Sequence, residues 1–221
     1  MSFPTRVAAL AAFSLALASP LAHAIGVNDA TGDFVAGYTG SHLGDLDVVG
    51  SFVTYNASTD TFVFAGTMNG DIGLSPSGFY VWGVDRGAGM AEFAPNGLPN
   101  ILFDAVVVFN QDGSGRVVDL GTGTPTDLPA GTAQVVGSTI IGAVSGSMLA
   151  STGFDKTAYT WNLWPRDGTL PMGFAQISDF APDTDNAPVL VVGTAPVPEP
   201  STLALLGLGI ASLVGWRKRR A

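Results

Sequence analysis

Cysteine is absent from all 221 residues. That excludes disulfides, thiol nucleophiles and cysteine-ligated zinc. Histidine is nearly absent: His23 and His42 are the only two. A Ser-His-Asp triad would have to use one of them, and no Gly-x-Ser-x-Gly elbow occurs to present its serine. Positive charge is the third scarcity. Residues 25–195 hold four basic side chains, Arg86, Arg116, Lys156 and Arg166, against 17 acidic ones, of which 16 are Asp and one is Glu92. The net charge of this segment is therefore −13, partly masked in the full-chain value of −9 by basic residues at the two ends. Such a surface excludes nucleic acid, whose binding depends on basic patches that displace counterions. Lys, Glu and Gln are also sparse between residues 25 and 195, so strong helix formers are missing there.

The two ends of the chain are of a different composition. Arg6 precedes an apolar run from Val7 to Ala18, and Ala22-His23-Ala24 then offers small residues at the two positions a signal peptidase reads, Ala22 and Ala24. The pattern predicts a signal peptide over residues 1–24. At the other end, residues 201–216 carry no charge, and their leucines, Ile210 and Val214 fall all round a helix. Such a helix is about 24 Å long, short of the roughly 30 Å hydrocarbon core. Trp216 and the snorkelling Arg217 could lengthen it to a span. Arg217, Lys218, Arg219 and Arg220 predict a cytoplasmic end, which leaves the body of the chain outside the cytoplasm.

Val197-Pro198-Glu199-Pro200, a short apolar run and Arg217-Lys218-Arg219-Arg220 follow one another at the extreme C-terminus. In this order they resemble the PEP-CTERM sorting signal of Gram-negative bacteria. The resemblance implies that Pro198, Glu199 and Pro200 are recognition residues read by exosortase, a membrane-bound enzyme that cuts at or near the box. The protein would then pass to the cell envelope or the extracellular polysaccharide. The resemblance is confined to residues 196–221.

Residues 25–195 read as one all-β domain, rich in Gly, Thr, Val, Phe, Asp and Asn. Period-2 alternation marks TFVFAGTM, where Phe62 and Phe64 share a face, and GFYVWGVD, where Phe79 and Val81 oppose Tyr80 and Trp82. In ILFDAVVVFN the same rule places Ile101, Phe103, Ala105, Val107 and Phe109 on one face. LDVVGSFVTY and QVVGSTIIGAV read as further strands, with Gly50 and Gly137 as bulges. Ser58-Thr59-Asp60 and residues 110–115 are turns between strands. A short helix is predicted near Ser147 to Ser151, and Asp155 to Pro188 reads as irregular. The expected architecture is a single antiparallel β-sandwich, jelly-roll-like, of about eight to ten strands.

Two constellations are candidate sites. Asp45 and Asp47 in GDLD, and Asp183 and Asp185 in APDTDNAP near Asp179, are oxygen ligands at one-residue spacing, the chemistry of a calcium loop. No Glu closes an EF-hand pattern, and turn formation accounts for Asp at the same positions. Tyr159, Trp161 and Trp164, close to Arg166 and Asp167, would suit stacking on a sugar ring if exposed and core packing if buried. A lone glutamate among many loop aspartates gives no distinguished carboxylate pair, which disfavours a glycoside hydrolase. The expected function is that of an exported surface or matrix protein without catalysis, with exosortase, signal peptidase and the membrane as partners. A polysaccharide- or calcium-binding module is the alternative.

Overall fold

The computed structural model describes residues 26–193. The signal segment with Ala22 and Ala24, the box Pro198-Glu199-Pro200, the apolar run 201–216 and the cluster Arg217 to Arg220 lie outside them. Among the described residues there are twelve strands and four short 3-10 turns, and no helix is long and apolar enough to cross a membrane. The strands are β1 (Val27–Asn28), β2 (Val48–Asn56), β3 (Thr61–Met68), β4 (Gly78–Asp85), β5 (Ala105–Asn110) and β6 (Gly115–Asp119). They continue with β7 (Thr124–Asp127), β8 (Ala133–Val136), β9 (Thr139–Ser145), β10 (Thr160–Asp167), β11 (Ala187–Pro188) and β12 (Leu190–Val192).

These form two six-stranded sheets. One runs β1-β2-β3-β9-β8, with β12 also on β2, and the other runs β11-β10-β4-β5-β6-β7. Every pairing is antiparallel except that of β12, which lies parallel to β2. Strands β4 to β7 follow one another as a meander in a single sheet. The arrangement is therefore not the jelly-roll-like winding expected from strand spacing, which carries no information on sheet order.

The sheets pack face to face, because one continuous apolar cluster draws on both. Phe62, Phe64, Met68, Ile140 and Val144 come from the first sheet, and Tyr80, Trp82, Val107, Phe109, Trp161 and Leu163 from the second. Glycines on the first sheet accommodate large side chains of the second. A Cβ at Gly66 would stand 2.9 Å from Leu163 Cδ2, and one at Gly142 would stand 2.5 Å from Phe109 Cζ. Ser51 settles the polar edge of this core: its hydroxyl donates to the Ala65 carbonyl at 2.8 Å and accepts from Trp82 Nε1 at 3.3 Å.

A second, smaller cluster sits on the outer face of the second sheet. Ile101, Phe103, Ile177 and Phe180 there cover Val81, Val108 and Trp164. Ile101 and Phe103 thus belong to this outer cluster and not to the face of Ala105, Val107 and Phe109, because the strand begins only at Ala105. Gly50 marks a register shift against β3, as a bulge requires. Gly137 does not: with φ +58° it turns β8 into β9, splitting the single strand expected there. The expected helix near Ser147 is the 3-10 turn Gly146–Met148, capped by the Ser145 hydroxyl. The segment 155–188 is not irregular throughout, since β10 runs through it.

Candidate functional site

Five carboxylates converge where β1, the start of β2 and the segment after β10 meet. Asp29 follows β1, and its backbone N–H donates to the Val49 carbonyl at 3.2 Å. Asp33 follows four residues later, beyond Gly32, whose φ of +79° bends the chain back. Asp47 precedes β2 and Asp179 and Asp183 lie on the segment between β10 and β11. Carboxylate oxygens of Asp29, Asp179 and Asp183 lie within 4.8 Å of one another, as do those of Asp33, Asp47 and Asp179. Asp179 therefore belongs to both triplets.

The buried members are held in place by backbone donors. Asp179, 1% exposed, accepts from Val48 N at 2.8 Å and from Phe180 N at 2.8 Å. Asp47, also 1% exposed, accepts from Gly32 N at 2.9 Å and from Asn69 Nδ2 at 3.0 Å. Asp29 is half-buried, and its Oδ2 is shut away from water without a hydrogen-bond partner. Burial pushes the Asp179 carboxyl up to about 8, and the charges of Asp29 and Asp33 add to the rise. Burial likewise pushes Asp29 up to about 7, with Asp183 and Asp33 adding to it. Asp183 is raised by burial and by Asp33.

Among the described residues no basic side chain forms a salt bridge with these carboxylates. Arg86 is engaged by Asp104 at 2.9 Å and Asp119 at 2.8 Å, and Lys156 by Asp60 at 2.6 Å. A cluster of oxygens only, without nitrogen or sulfur ligands, suits a hard divalent cation such as Ca²⁺. Without a cation, burial and neighbouring charge favour the protonated forms of Asp29 and Asp179.

The sequence-predicted residues divide. Asp47 and Asp183 are members of the cluster. Asp45 is not: it is fully buried and accepts from the Ser75 N–H and hydroxyl, each at 2.6 Å, tying two loops together. Residues 45–47 lie in a turn ahead of β2, where a spacing of two does not put side chains on one face. Asp185 is exposed and outside both triplets, and its backbone carbonyl accepts from Asn162 at 2.8 Å. Asp29 and Asp33 were not among the expected ligands. The signal was present, two aspartates four residues apart around a glycine in DATGD, but nothing local ties that loop to Asp179.

The expected sugar platform does not form. Tyr159, Trp161 and Trp164 are 0%, 1% and 2% exposed. Tyr159 and Trp161 join the core between the sheets, where Tyr159 stacks on Phe62 at 5.6 Å and Trp161 Nε1 donates to the Pro188 carbonyl. Trp164 lies within β10 and packs in the outer cluster against Phe93 and Phe103. None offers an open ring face.

Residues 196–220 match the PEP-CTERM protein-sorting motif. This is the tail that carries the Pro-Glu-Pro box, and it marks an exported protein recognised by exosortase and processed at the membrane. Neither a curated protein nor a solved structure matches the chain.

Proposed function

We propose that this protein is delivered to the cell envelope or extracellular matrix, where it acts as a structural or interaction component without catalysis. The observation that carries the reading is the sorting motif over residues 196–220. The side-chain inventory supports the non-catalytic part. His42, the one histidine downstream of the signal segment, bonds through Nδ1 to the Gly40 carbonyl at 2.9 Å and packs at a tilt against Phe34 and Tyr38. No nucleophile or carboxylate is poised on it. Mass spectrometry of the C-terminus of the mature protein from its own host tests the reading. A terminus at or near Pro198–Pro200 is expected, and a mature chain still ending at Ala221 would overturn it.

A second reading, calcium binding, is favoured by the five uncompensated carboxylates and the unpartnered Asp29 Oδ2. Extracellular calcium modules bind at about 10⁻⁴ to 10⁻³ M. With a Kd of about 10⁻⁴ M, 10 mM calcium stabilises the fold by about 2.7 kcal/mol. The melting temperature should therefore rise several degrees in calcium, and Asp179→Asn should abolish the rise. An unchanged melting temperature in 10 mM calcium would defeat this reading.

A further inference from the structure

The outer face of the second sheet is only partly covered. Beside the small outer cluster lies a groove of about 690 Å³, within the roughly 300–1,000 Å³ common for small-molecule sites. Strand register lays down its floor. Trp164, Val81, Val108 and Arg116 stand in one rank across β10, β4, β5 and β6, and Val106 and Val118 stand in the next. Gly83 makes the space for the Trp164 ring, which occupies the position a Cβ there would take. Met90 and Met172 line the groove while 56% and 93% exposed, a pair of unbranched side chains able to close over an occupant.

The charge in this groove is the reverse of the domain's. Of the four basic residues in 25–195, Arg86 and Lys156 are consumed in ion pairs. The other two, Arg116 and Arg166, both line the groove, and among the described residues neither is in a salt bridge. Arg116 is exposed, with Asp127 opposite it in register but not in an ion pair. Arg166 is partly buried. Its guanidinium lies over Phe79 at 5.9 Å, one terminal nitrogen donates to the Gly173 carbonyl, and Nε is shut away from water without a partner. Burial pulls the Arg166 guanidinium below its usual range, and no carboxylate offsets it. Glu92, exposed, is the one acid in the lining. Two arginines and one glutamate leave a single positive charge over an apolar floor.

A charge buried without a counterion is costly, and an anion in the groove removes that cost. We infer that the groove binds one long-chain carboxylate. Its apolar body lies on the partly exposed Val106, Val118 and Leu120, and its head group is taken by Arg166, whose planar fork matches a carboxylate. Arg116, three strands over from β10, adds to the attracting potential. The floor carries too few donors and acceptors for a sugar. The chain's own apolar tail would bring four cations to two arginines. An anionic membrane surface would meet a domain of charge −13. The site is separate from the acidic cluster and does not depend on the sorting or calcium readings.

The test uses the full chain and the fluorescent fatty acid cis-parinaric acid, with its methyl ester as the neutral counterpart. The acid should bind saturably, one to one, and be displaced by dodecanoate. The ester should bind about tenfold more weakly or worse, the worth of a charge-assisted hydrogen bond. Arg166→Gln should weaken the acid by a similar factor and leave the ester unchanged. Arg116→Gln, at an exposed position where folding is not at stake, should weaken the acid about two- to threefold and flatten its salt dependence. Equal binding of acid and ester, which is what attachment to the apolar tail would give, overturns the inference. So does unchanged acid affinity in Arg116→Gln together with Arg166→Gln, or in Arg116→Gln alone should Arg166→Gln fail to fold.

Discussion

Asp179 shows how a single side chain can be secured and strained by the same surroundings. Two backbone N–H groups hold its carboxylate, yet burial and two neighbouring aspartates work against its charge. Linkage turns this into a pH dependence. In the metal-free fold Asp29 and Asp179 titrate at about 7 and about 8, against 3.8 in the unfolded chain. Folding therefore takes up protons between those values, and stability falls as pH rises from about 4 through 8. Calorimetry in EDTA should give a lower melting temperature at pH 8.5 than at pH 5.5, and Asp29→Asn with Asp179→Asn should flatten the difference. The depressed carboxyls of Asp60, held by Lys156, and Asp119, held by Arg86, act in the opposite sense and only at more acidic pH. Of the cluster, Asp47 and Asp183 were legible as carboxylates at turn spacing. Asp29 and Asp33 were not, because only the β1–β2 pairing and the burial of Asp179 bring residues some 150 positions apart to one place.

Among the elements, the match between glycines of one sheet and aromatic rings of the other fixes how the layers seat. Phe109 of β5 rests where a side chain at Gly142 of β9 would project. Gly142→Ala should cost about 1–3 kcal/mol in urea unfolding through overpacking. Combining it with Phe109→Leu should cost less than the sum of the two single changes, since the second relieves the clash of the first. Additive losses would show that the sheets can shift apart freely. β3, with one face more buried than the other, was legible from alternation, and β4 was legible from its run of aromatic and β-branched residues although both of its faces are buried. β10 was not, for two reasons. Trp161 and Leu163 face the main core while Trp164 faces the outer cluster, so the period-2 contrast vanishes. Pro165 also argues against a strand interior. β11 pairs only with Thr160 and Trp161, and at the proline β10 is flanked instead by the irregular segment 177–181, whose Ser178 N–H donates to the Pro165 carbonyl at 3.2 Å, a bond that needs no N–H from the proline.

At the scale of the whole molecule, charge and chain ends are both sorted by place. The acidic cluster and the basic groove occupy separate regions of the structure, and the basic tail stands apart from both in sequence. β1 and β12 share one flank of β2: β1 pairs at Gly50 and Ser51, and β12 at Thr54 to Asn56. The first and last strands of the described residues therefore adjoin one sheet edge. If the box is read, Glu199→Ala should keep the protein in the membrane fraction at full length, with the melting temperature of the folded domain unchanged. Release at normal levels would count against recognition of the box.

The parallel pairing of β12 with β2 also sets a clearance. Val192 is the last residue of β12, and the register locks it beside Asn56. Between Gly193 and Pro198 stand only four residues, Thr194 to Val197. Even fully drawn out, the five steps from Gly193 to Pro198 reach about 18 Å. Were the tail held in a bilayer, that reach would bound how far the end of β12 could stand from it. Lengthening that leash is therefore a direct way to ask whether access to the box limits processing.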